Sequence, residues 1–278
     1  MPRPLRVGVV QMRSGVEPAA NRAQAMPFLR EAAANGARVV ATPECTTRLD
    51  RNRDRMLASI VPEKDDTEIR AWGAIAAELG VWLLLGSTTV KAEDGRGFNR
   101  SIFFAPDGKV AARYDKINLF DVQLGTTSET YRESATFAPG DKAVMATGPA
   151  DAKIGFTICY DMRFPHLYRV LAKAGAEMIF VPAAFTRPTG QAHWETLLRA
   201  RAIENGAYVL APAQGGEKHE DGRGTWGHSL VIDPWGKIIA ELDHDEPGLL
   251  MADLDLDLVA EARAKIPAWQ GGGAFAGP

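Results

Sequence analysis

The sequence predicts an α/β fold built as one domain, with two packed sheets and helices outside them. Three observations carry that expectation. Apolar runs of strand length alternate with longer amphipathic stretches, the two halves repeat that rhythm, and no Pro/Ser-rich linker or charge run divides them. At 278 residues either one large domain or two small ones fits the usual size of α/β cores. The missing boundary favours one, spanning residues 1–270 and followed by a Gly-rich tail over 271–278 that could be mobile or dock on a partner subunit.

Residues 5–10, Leu-Arg-Val-Gly-Val-Val, read as a strand, residues 21–35 as a helix with Gly36 in the place of a C-cap, and residues 37–41 as the next strand, a βαβ opening. A helix over 67–79 closed by Gly80 leads to a strand over 81–85. An antiparallel pair over 99–104 and 110–114 is joined by the turn Pro106-Asp107-Gly108, which makes the sheet mixed. In the second half, strands over 152–158, 178–181 and 207–211 alternate with helices over 166–174 and 194–205, the latter ending at Gly206. Residues 229–232 and 237–240 form a hairpin around Asp233-Pro234-Trp235-Gly236, and residues 248–254 add one more strand.

Composition narrows the function. The chain is 46% hydrophobic and 24% charged, with 27 Gly and 17 Pro, the usage of a folded soluble domain. Its 32 Lys+Arg against 35 Asp+Glu leave a formal charge of -3 with no basic block, so nucleic acid and membrane surfaces are not expected partners. Two cysteines, Cys45 and Cys159, are too few for a disulfide framework, and the N-terminus turns polar too quickly for a signal peptide. The expected setting is reducing and cytoplasmic. The longest apolar runs, such as residues 81–86, are strand-sized and too short to span a membrane.

Several motifs fail on context. Gly222-Arg223-Gly224-Thr225-Trp226-Gly227 matches G-x-G-x-x-G but follows a polar loop and leads into a strand, whereas a dinucleotide site needs a preceding strand and a following helix. The five histidines form no H-E-x-x-H pair, and no G-x-S-x-G elbow occurs. His193-Trp194-Glu195 resembles the start of a zinc deaminase site, but the P-C-x-x-C partner is absent.

Three polar residues stand where strands run out. Cys159 ends the strand Lys153-Ile154-Gly155-Phe156-Thr157-Ile158 just before a sharp bend, where a thiol would face the crevice outside the strand ends and turning N–H groups could meet an oxyanion. The plain alternative is a small buried hydrophobe. Glu44 follows an apolar strand and Pro43, as a general base in the same crevice or as a solvated loop charge. Lys116 follows the second antiparallel strand; beside a thiol and a carboxylate it would favour the thiolate and stabilise an oxyanion, and otherwise it is a solvated loop charge.

At these residues the sequence resembles the nitrilase superfamily of carbon–nitrogen hydrolases, whose site is a Glu-Lys-Cys triad. The stretches that carry the resemblance are Thr42-Pro43-Glu44, residues 114–121 around Lys116, and Ile158-Cys159-Tyr160-Asp161-Met162-Arg163-Phe164-Pro165. Supporting blocks lie at 182–186, 192–195, 198–205 and 227–236, so the resemblance spans about residues 4–270. It implies a four-layer αββα sandwich with two mixed sheets, pairing with a second subunit through helices that flank the cysteine's elbow. It also implies a second glutamate, placed at Glu133 in Tyr131-Arg132-Glu133-Ser134 with Glu129 as the nearby competitor, to orient Lys116 and the leaving amine.

Within the superfamily the chain looks like the Nit branch, and Ala213-Gln214-Gly215-Gly216 with His219-Glu220 looks more like the Nit1 type than the Nit2 type. That implies deaminated glutathione amidase activity, with an ω-amidase acting on α-ketoglutaramate, an N-carbamoyl amidase or a nitrilase as alternatives, and an inactive scaffold on the same fold as the non-enzyme alternative. One departure is Asn118, where histidine is common. The implied chemistry is attack by Cys159 on a terminal amide, Glu44 as base, an oxyanion held by Lys116 and the Tyr160 N–H, ammonia release and a thioester opened by water, with no metal or organic cofactor. Arg163 could grip a substrate carboxylate or pair with Asp161, and Phe185 and Thr186 would line the pocket. His193 and Trp194 would pack at a helix start, and Arg201 fits a helix surface or an interface equally.

Overall fold

A computed structural model of the chain describes residues 2–124, 129–219, 224–274 and 276–277. The chain opens with β1 (Pro4–Gln11), α1 (Pro18–Ala34) and β2 (Val39–Ala41), and β1 and β2 pair in parallel as the βαβ reading expects. A short α2 (Arg53–Ser59), absent from the sequence reading, precedes α3 (Thr67–Leu79). Asp66 caps α3 by accepting from the N–H groups of Glu68 and Ile69, and Gly80 at φ 64° closes it, so both ends match their capping residues. The antiparallel strands β3 (Trp82–Lys91), β4 (Gly97–Phe104) and β5 (Val110–Asp115) follow, then a small hairpin, β6 (Asp121–Leu124) with β7 (Glu129–Arg132).

The second half repeats the plan with β8 (Met145–Thr147), β9 (Lys153–Phe156), α4 (Pro165–Lys173), β10 (Met178–Phe180), α5 (Arg187–Asn205) and β11 (Tyr208–Ala211). It ends with the short pair β12 (Gly215–Gly216) and β13 (Thr225–Trp226), the hairpin β14 (Leu230–Ile232) and β15 (Ile238–Glu241), then β16 (Gly248–Asp255) and α6 (Asp257–Lys265). Of the G-x-G-x-x-G string, Gly222 and Arg223 lie outside the described residues, and Thr225-Trp226 are the strand β13.

α5 begins at Arg187, well before the expected start at Trp194. Pro188 sits in the first turn, where its missing N–H is not needed, and the polar run Thr189-Gly190-Gln191-Ala192-His193 carries no apolar period to reveal the helix. Trp194 is therefore mid-helix and buried, its indole N–H donating to the His228 carbonyl at 2.7 Å. Arg201 is buried too, donating to the Met162 carbonyl at 2.7 Å and to Glu204 at 2.6 Å, so it is neither helix surface nor interface.

One six-stranded sheet is ordered β16-β1-β2-β3-β4-β5 and the other β8-β9-β10-β11-β14-β15. Read in these directions, both run antiparallel, parallel, parallel, antiparallel, antiparallel. The shared rhythm of the two halves is a shared topology. The last strand leaves its hairpin to pair with β1, returning the chain to the sheet where it began.

The strands alternate strictly because both faces of the first sheet are covered. Val7, Val9, Val39, Ala41, Leu84 and Phe103 face the second sheet, while Val10, Val40, Leu83, Leu85, Ile102 and Phe104 face Leu29 of α1 and Trp72 of α3. Phe103 bridges the layers, with ring centroids 5.1 Å from Trp82, 5.5 Å from Phe156 and 6.4 Å from Phe180. With Tyr168, Trp194 and Leu198 of α4 and α5 packed on the second sheet, the layers are α-β-β-α. The ends of β2, β5, β9 and β10 converge at one edge of this sandwich.

Candidate active site

Glu44, Lys116 and Cys159 meet at that edge in a cavity of about 390 Å³, which Asn99, Glu133, Phe185 and Thr186 also line. Each is positioned by its local backbone. Cys159 opens a five-residue 3-10 turn after β9 at φ 47°, a left-handed conformation unusual for a residue with a Cβ. Its N–H donates to the Pro182 carbonyl at 2.9 Å. Buried Asp161 holds the turn, accepting from the Ile158 N–H at 2.9 Å and the Tyr114 hydroxyl at 2.6 Å on one oxygen. The other oxygen accepts from the Asn118 N–H at 2.9 Å and the Asn118 side-chain amide at 2.8 Å. One carboxylate thus ties the cysteine's turn to the segment carrying Lys116, and Asn118 supplies two of its donors.

Glu44 sits on a turn pressed onto β3 where that strand bulges between Leu85 and Thr88. Only glycine fits there, since a Cβ on Gly86 would lie 2.0 Å from the Thr42 carbonyl oxygen and 2.3 Å from that of Pro43. The Cys45 N–H donates to Ser87 Oγ at 2.8 Å, and the Gln214 side-chain amide donates to the Glu44 carbonyl at 2.9 Å. Lys116 leaves β5 with its N–H on the Asn99 carbonyl at 2.9 Å and its own carbonyl receiving the Gly140 N–H at 2.8 Å.

The side chains close a ring of charge. Lys116 Nζ donates to Glu44 Oε1 at 2.9 Å and to Glu133 Oε1 and Oε2 at 3.0 and 2.9 Å. Asn99 Nδ2 donates to Glu44 Oε1 at 2.9 Å and to Glu133 Oε1 at 3.2 Å. Glu44 Oε2 accepts from the Ala184 N–H at 2.7 Å, Glu133 Oε2 accepts from the Phe120 N–H at 2.6 Å, and Cys159 lines the same cavity as both carboxylates. All of this is shielded, with Lys116 2%, Glu44 4%, Asn99 4% and Cys159 7% exposed.

Charges decide the resting state. Burial alone would raise the Glu44 carboxyl, but the Lys116 ammonium, the hydrogen bonds from Lys116 and Ala184 and the neighbouring Cys159 thiol leave it below the ordinary range. Burial likewise opposes charge on Lys116, and Glu133, Glu44 and Cys159 outweigh it, so the ammonium is held well above its ordinary value. For Cys159 burial and the Glu44 carboxylate push the thiol well above its ordinary value. Lys116 pulls the other way and loses, so the thiolate that the sequence reading expected it to favour is not the resting form. The neighbouring Cys45 thiol is pushed up as well, by burial and then by Glu44.

Glu133, beginning a 3-10 turn after β7, is the glutamate that reaches Lys116; Glu129 lies in β7. Phe185 and Thr186 line the cavity, whereas Tyr160 and Arg163 are not among its lining. The Tyr160 ring packs on Phe120 and Phe164, and the Arg163 guanidinium lies 3.2 Å from His193 Nδ1 and over the rings of Tyr160 and Phe185. Arg163 does not pair with Asp161, whose oxygens are taken by Tyr114, Ile158 and Asn118. The cations lining the cavity beyond Lys116 are Arg51, Arg53 and Arg132, from the loop after β2, the start of α2 and the end of β7. The sequence reading passed over these and Asn99. The one signal for Asn99 is a polar Asn-Arg-Ser inside an otherwise Phe/Ile-rich strand.

A carboxylate, an ammonium and a thiol in this order along the chain resemble the implied triad, and comparison with known families decides its membership. The carbon-nitrogen hydrolase family model matches residues 6–264. The chain belongs to the carbon-nitrogen hydrolase family. Among curated relatives, this carbon-nitrogen hydrolase is 37% identical over 272 residues to a deaminated glutathione amidase of Synechocystis sp., covering 96% of this chain and 98% of that one. It is 34% identical over 267 residues to human omega-amidase NIT2, covering 95% and 94%. Among solved structures, the C. elegans NitFhit protein superposes with a TM-score of 0.88 at 32% identity, over 97% of this chain and 65% of that longer chain. An amidase from Nesterenkonia sp. AN1, with acrylamide added at its active-site cysteine, superposes with a TM-score of 0.76 at 26% identity, over 95% and 98%.

Proposed function

We propose that this carbon-nitrogen hydrolase is a thiol-dependent amidase that cleaves the amide of a small carboxylate-bearing metabolite, with deaminated glutathione as the first candidate. The observation that carries the reading is the Cys159 thiol on a turn fastened by Asp161, opening into one cavity with a buried carboxylate that an ammonium holds at 2.9 Å. Glu44 takes the thiol proton as sulfur attacks the amide carbon, and returns it to the leaving nitrogen. Lys116 and the Tyr160 N–H, between the bonded N–H groups of Cys159 and Asp161, stabilise the oxyanion. Glu133 holds Lys116 in place. Water activated by Glu44 then opens the thioester.

Arg51, Arg53 and Arg132 line the cavity beside Lys116 and support a carboxylate-bearing substrate, since a guanidinium matches a carboxylate in a bidentate fork. The relatives support two acyl donors with a common acid product. In deaminated glutathione the 2-oxoglutaryl group is joined to cysteinylglycine, so that dipeptide leaves. Ammonia, the leaving group expected from the sequence, departs only from a primary amide such as α-ketoglutaramate, the ω-amidase reading favoured by the likeness to human omega-amidase NIT2. Release of 2-oxoglutarate from each amide at equal concentration, with Cys159→Ala as the blank, is the test. Cys159-dependent turnover favouring deaminated glutathione supports the first reading and preference for α-ketoglutaramate the second. Silence on both rejects the substrate class.

The same reading includes a homodimer and a reducing compartment. Val170 of α4 and Ile203 of α5 are 53% and 51% exposed, an apolar face suited to a second copy, and both cysteines are free thiols.

A further inference from the structure

The four lone-pair sites of the Glu44 carboxylate are the scarce resource at the reacting centre. A carboxylate accepts at about four positions, two per oxygen. On Oε1 both are filled by Lys116 Nζ and Asn99 Nδ2, each at 2.9 Å. On Oε2 one is filled by the Ala184 N–H at 2.7 Å. These three donors leave the fourth site, on Oε2, for the thiol of Cys159, which lines the same cavity.

Asn99 makes this partition possible. It donates both amide hydrogens, one to Glu44 Oε1 and one to Glu133 Oε1, and Lys116 donates to the same two oxygens. The four groups form a closed ring, Glu44–Lys116–Glu133–Asn99, in which two carboxylates are held side by side by one cation and one neutral donor. The amide is buried and sits on β4, whose carbonyl at Asn99 also fixes the Lys116 backbone at 2.9 Å. Without the second donor, Oε1 would have an open site competing with Oε2 for the thiol proton, and a buried and a part-buried carboxylate would share a single ammonium.

We propose that Asn99 is a positioning residue that occupies Glu44 Oε1 and reserves Oε2 as the atom that accepts the Cys159 proton. In the step it governs, the S–H bond breaks to Oε2 as the sulfur electron pair forms the S–C bond, and the carbonyl π pair moves to oxygen. The proton on Oε2 then goes to the leaving nitrogen as the C–N bond breaks, restoring the carboxylate. The proposal rests on the reading of Glu44 as the base. A hydrogen bond donated to a carboxylate favours its charged form, so losing the Asn99 donor raises the pH at which Glu44 becomes competent.

The test is the pH dependence of Cys159 alkylation by acrylamide, which needs no amide substrate, together with kcat/KM on whichever amide the wild type hydrolyses. Asn99→Leu, near in volume and without a donor, is expected to move the acid limb of both profiles to higher pH and to lower neutral-pH rates by up to about 10²-fold, the scale of a reacting group displaced by about 1 Å. Asn99→Ser, which keeps one hydroxyl donor, is expected to recover part of the shift, and Asn99→Ala serves if the leucine variant does not fold. Lower rates with an unmoved acid limb, in variants of wild-type thermal stability, would show a merely structural asparagine and overturn the proposal while leaving Glu44 as base. A Glu44→Gln enzyme that alkylates with the wild-type profile overturns both.

Discussion

The Cys159 thiol and the Glu44 carboxylate set each other's protonation. Because the charge of Glu44 raises the thiol, Glu44→Gln should let Cys159 titrate at a lower pH than in the wild type, read from thiolate ultraviolet absorbance. An unchanged or higher titration midpoint would contradict the arrangement. Lys116→Ala should lose about 10² to 10³ in kcat, the usual effect of removing one oxyanion donor, and full turnover by that variant would remove Lys116 from the mechanism. Stability carries the same charges with a definite sign. The folded Glu44 carboxyl lies below its unfolded value, so its contribution is present above the unfolded value and lost as pH falls through the lowered one. The stability of the wild type relative to Glu44→Gln should therefore decline on acidification, and a pH-independent difference in melting temperature would refute it. Cys159, Glu44 and Lys116 were legible because each follows a strand within a motif. Asn99 was not, because a single buried amide on a strand has no spacing to betray it, and Arg163 misled because adjacence to the elbow in sequence does not place a side chain in the cavity.

The elements succeed or fail by how they hold those residues. Tyr114 on β5 donates to Asp161, which fastens the cysteine's turn, so Tyr114→Phe removes a hydrogen bond to a buried carboxylate. The expected cost is about 1.5–3 kcal/mol of stability, measured by denaturant unfolding, and kcat should fall while binding of the substrate is kept. A loss confined to KM would show that the turn does not depend on this bond. Gly86→Ala should be worse, since no flexible side chain can yield where the Cβ meets backbone oxygens at 2.0 Å; a soluble, fully active Gly86→Ala protein would contradict the close approach of β3 to the Glu44 turn. Helix caps at Gly36 and Gly80 and the turn at Pro106-Asp107-Gly108 were readable because local chemistry decides them. The first turns of α5, the short α2 and the β6–β7 hairpin were not, because they are polar segments stabilised by what they pack against rather than by their own period.

At the scale of the molecule, two sheets of the same pairing sense are stacked so that the ends of β2, β5 and β9 deliver base, ammonium and thiol to one edge. Phe103, between the sheets, belongs to the scaffold alone. Phe103→Ala should cost about 3–5 kcal/mol in unfolding free energy and leave the pH profile of the folded protein unchanged; a shifted profile would mean that sheet packing and site geometry are coupled. That the fold is α/β with mixed sheets was visible in its alternating runs. Which strand joins which sheet was not, since β16 returns to β1 by pairing Gln11 with Gly248, far apart in sequence, a pairing that no local pattern encodes.

The most direct measurement of the central claim uses hydroxylamine as a second acceptor during turnover. Deaminated glutathione and α-ketoglutaramate differ only in the amine that leaves, so a Cys159 thioester formed from either is the same species. The ratio of hydroxamate to 2-oxoglutarate should then be identical for the two amides and absent altogether in Cys159→Ala. Ratios that differ between the amides, or hydrolysis that persists without Cys159, would contradict a common acyl-enzyme on this cysteine.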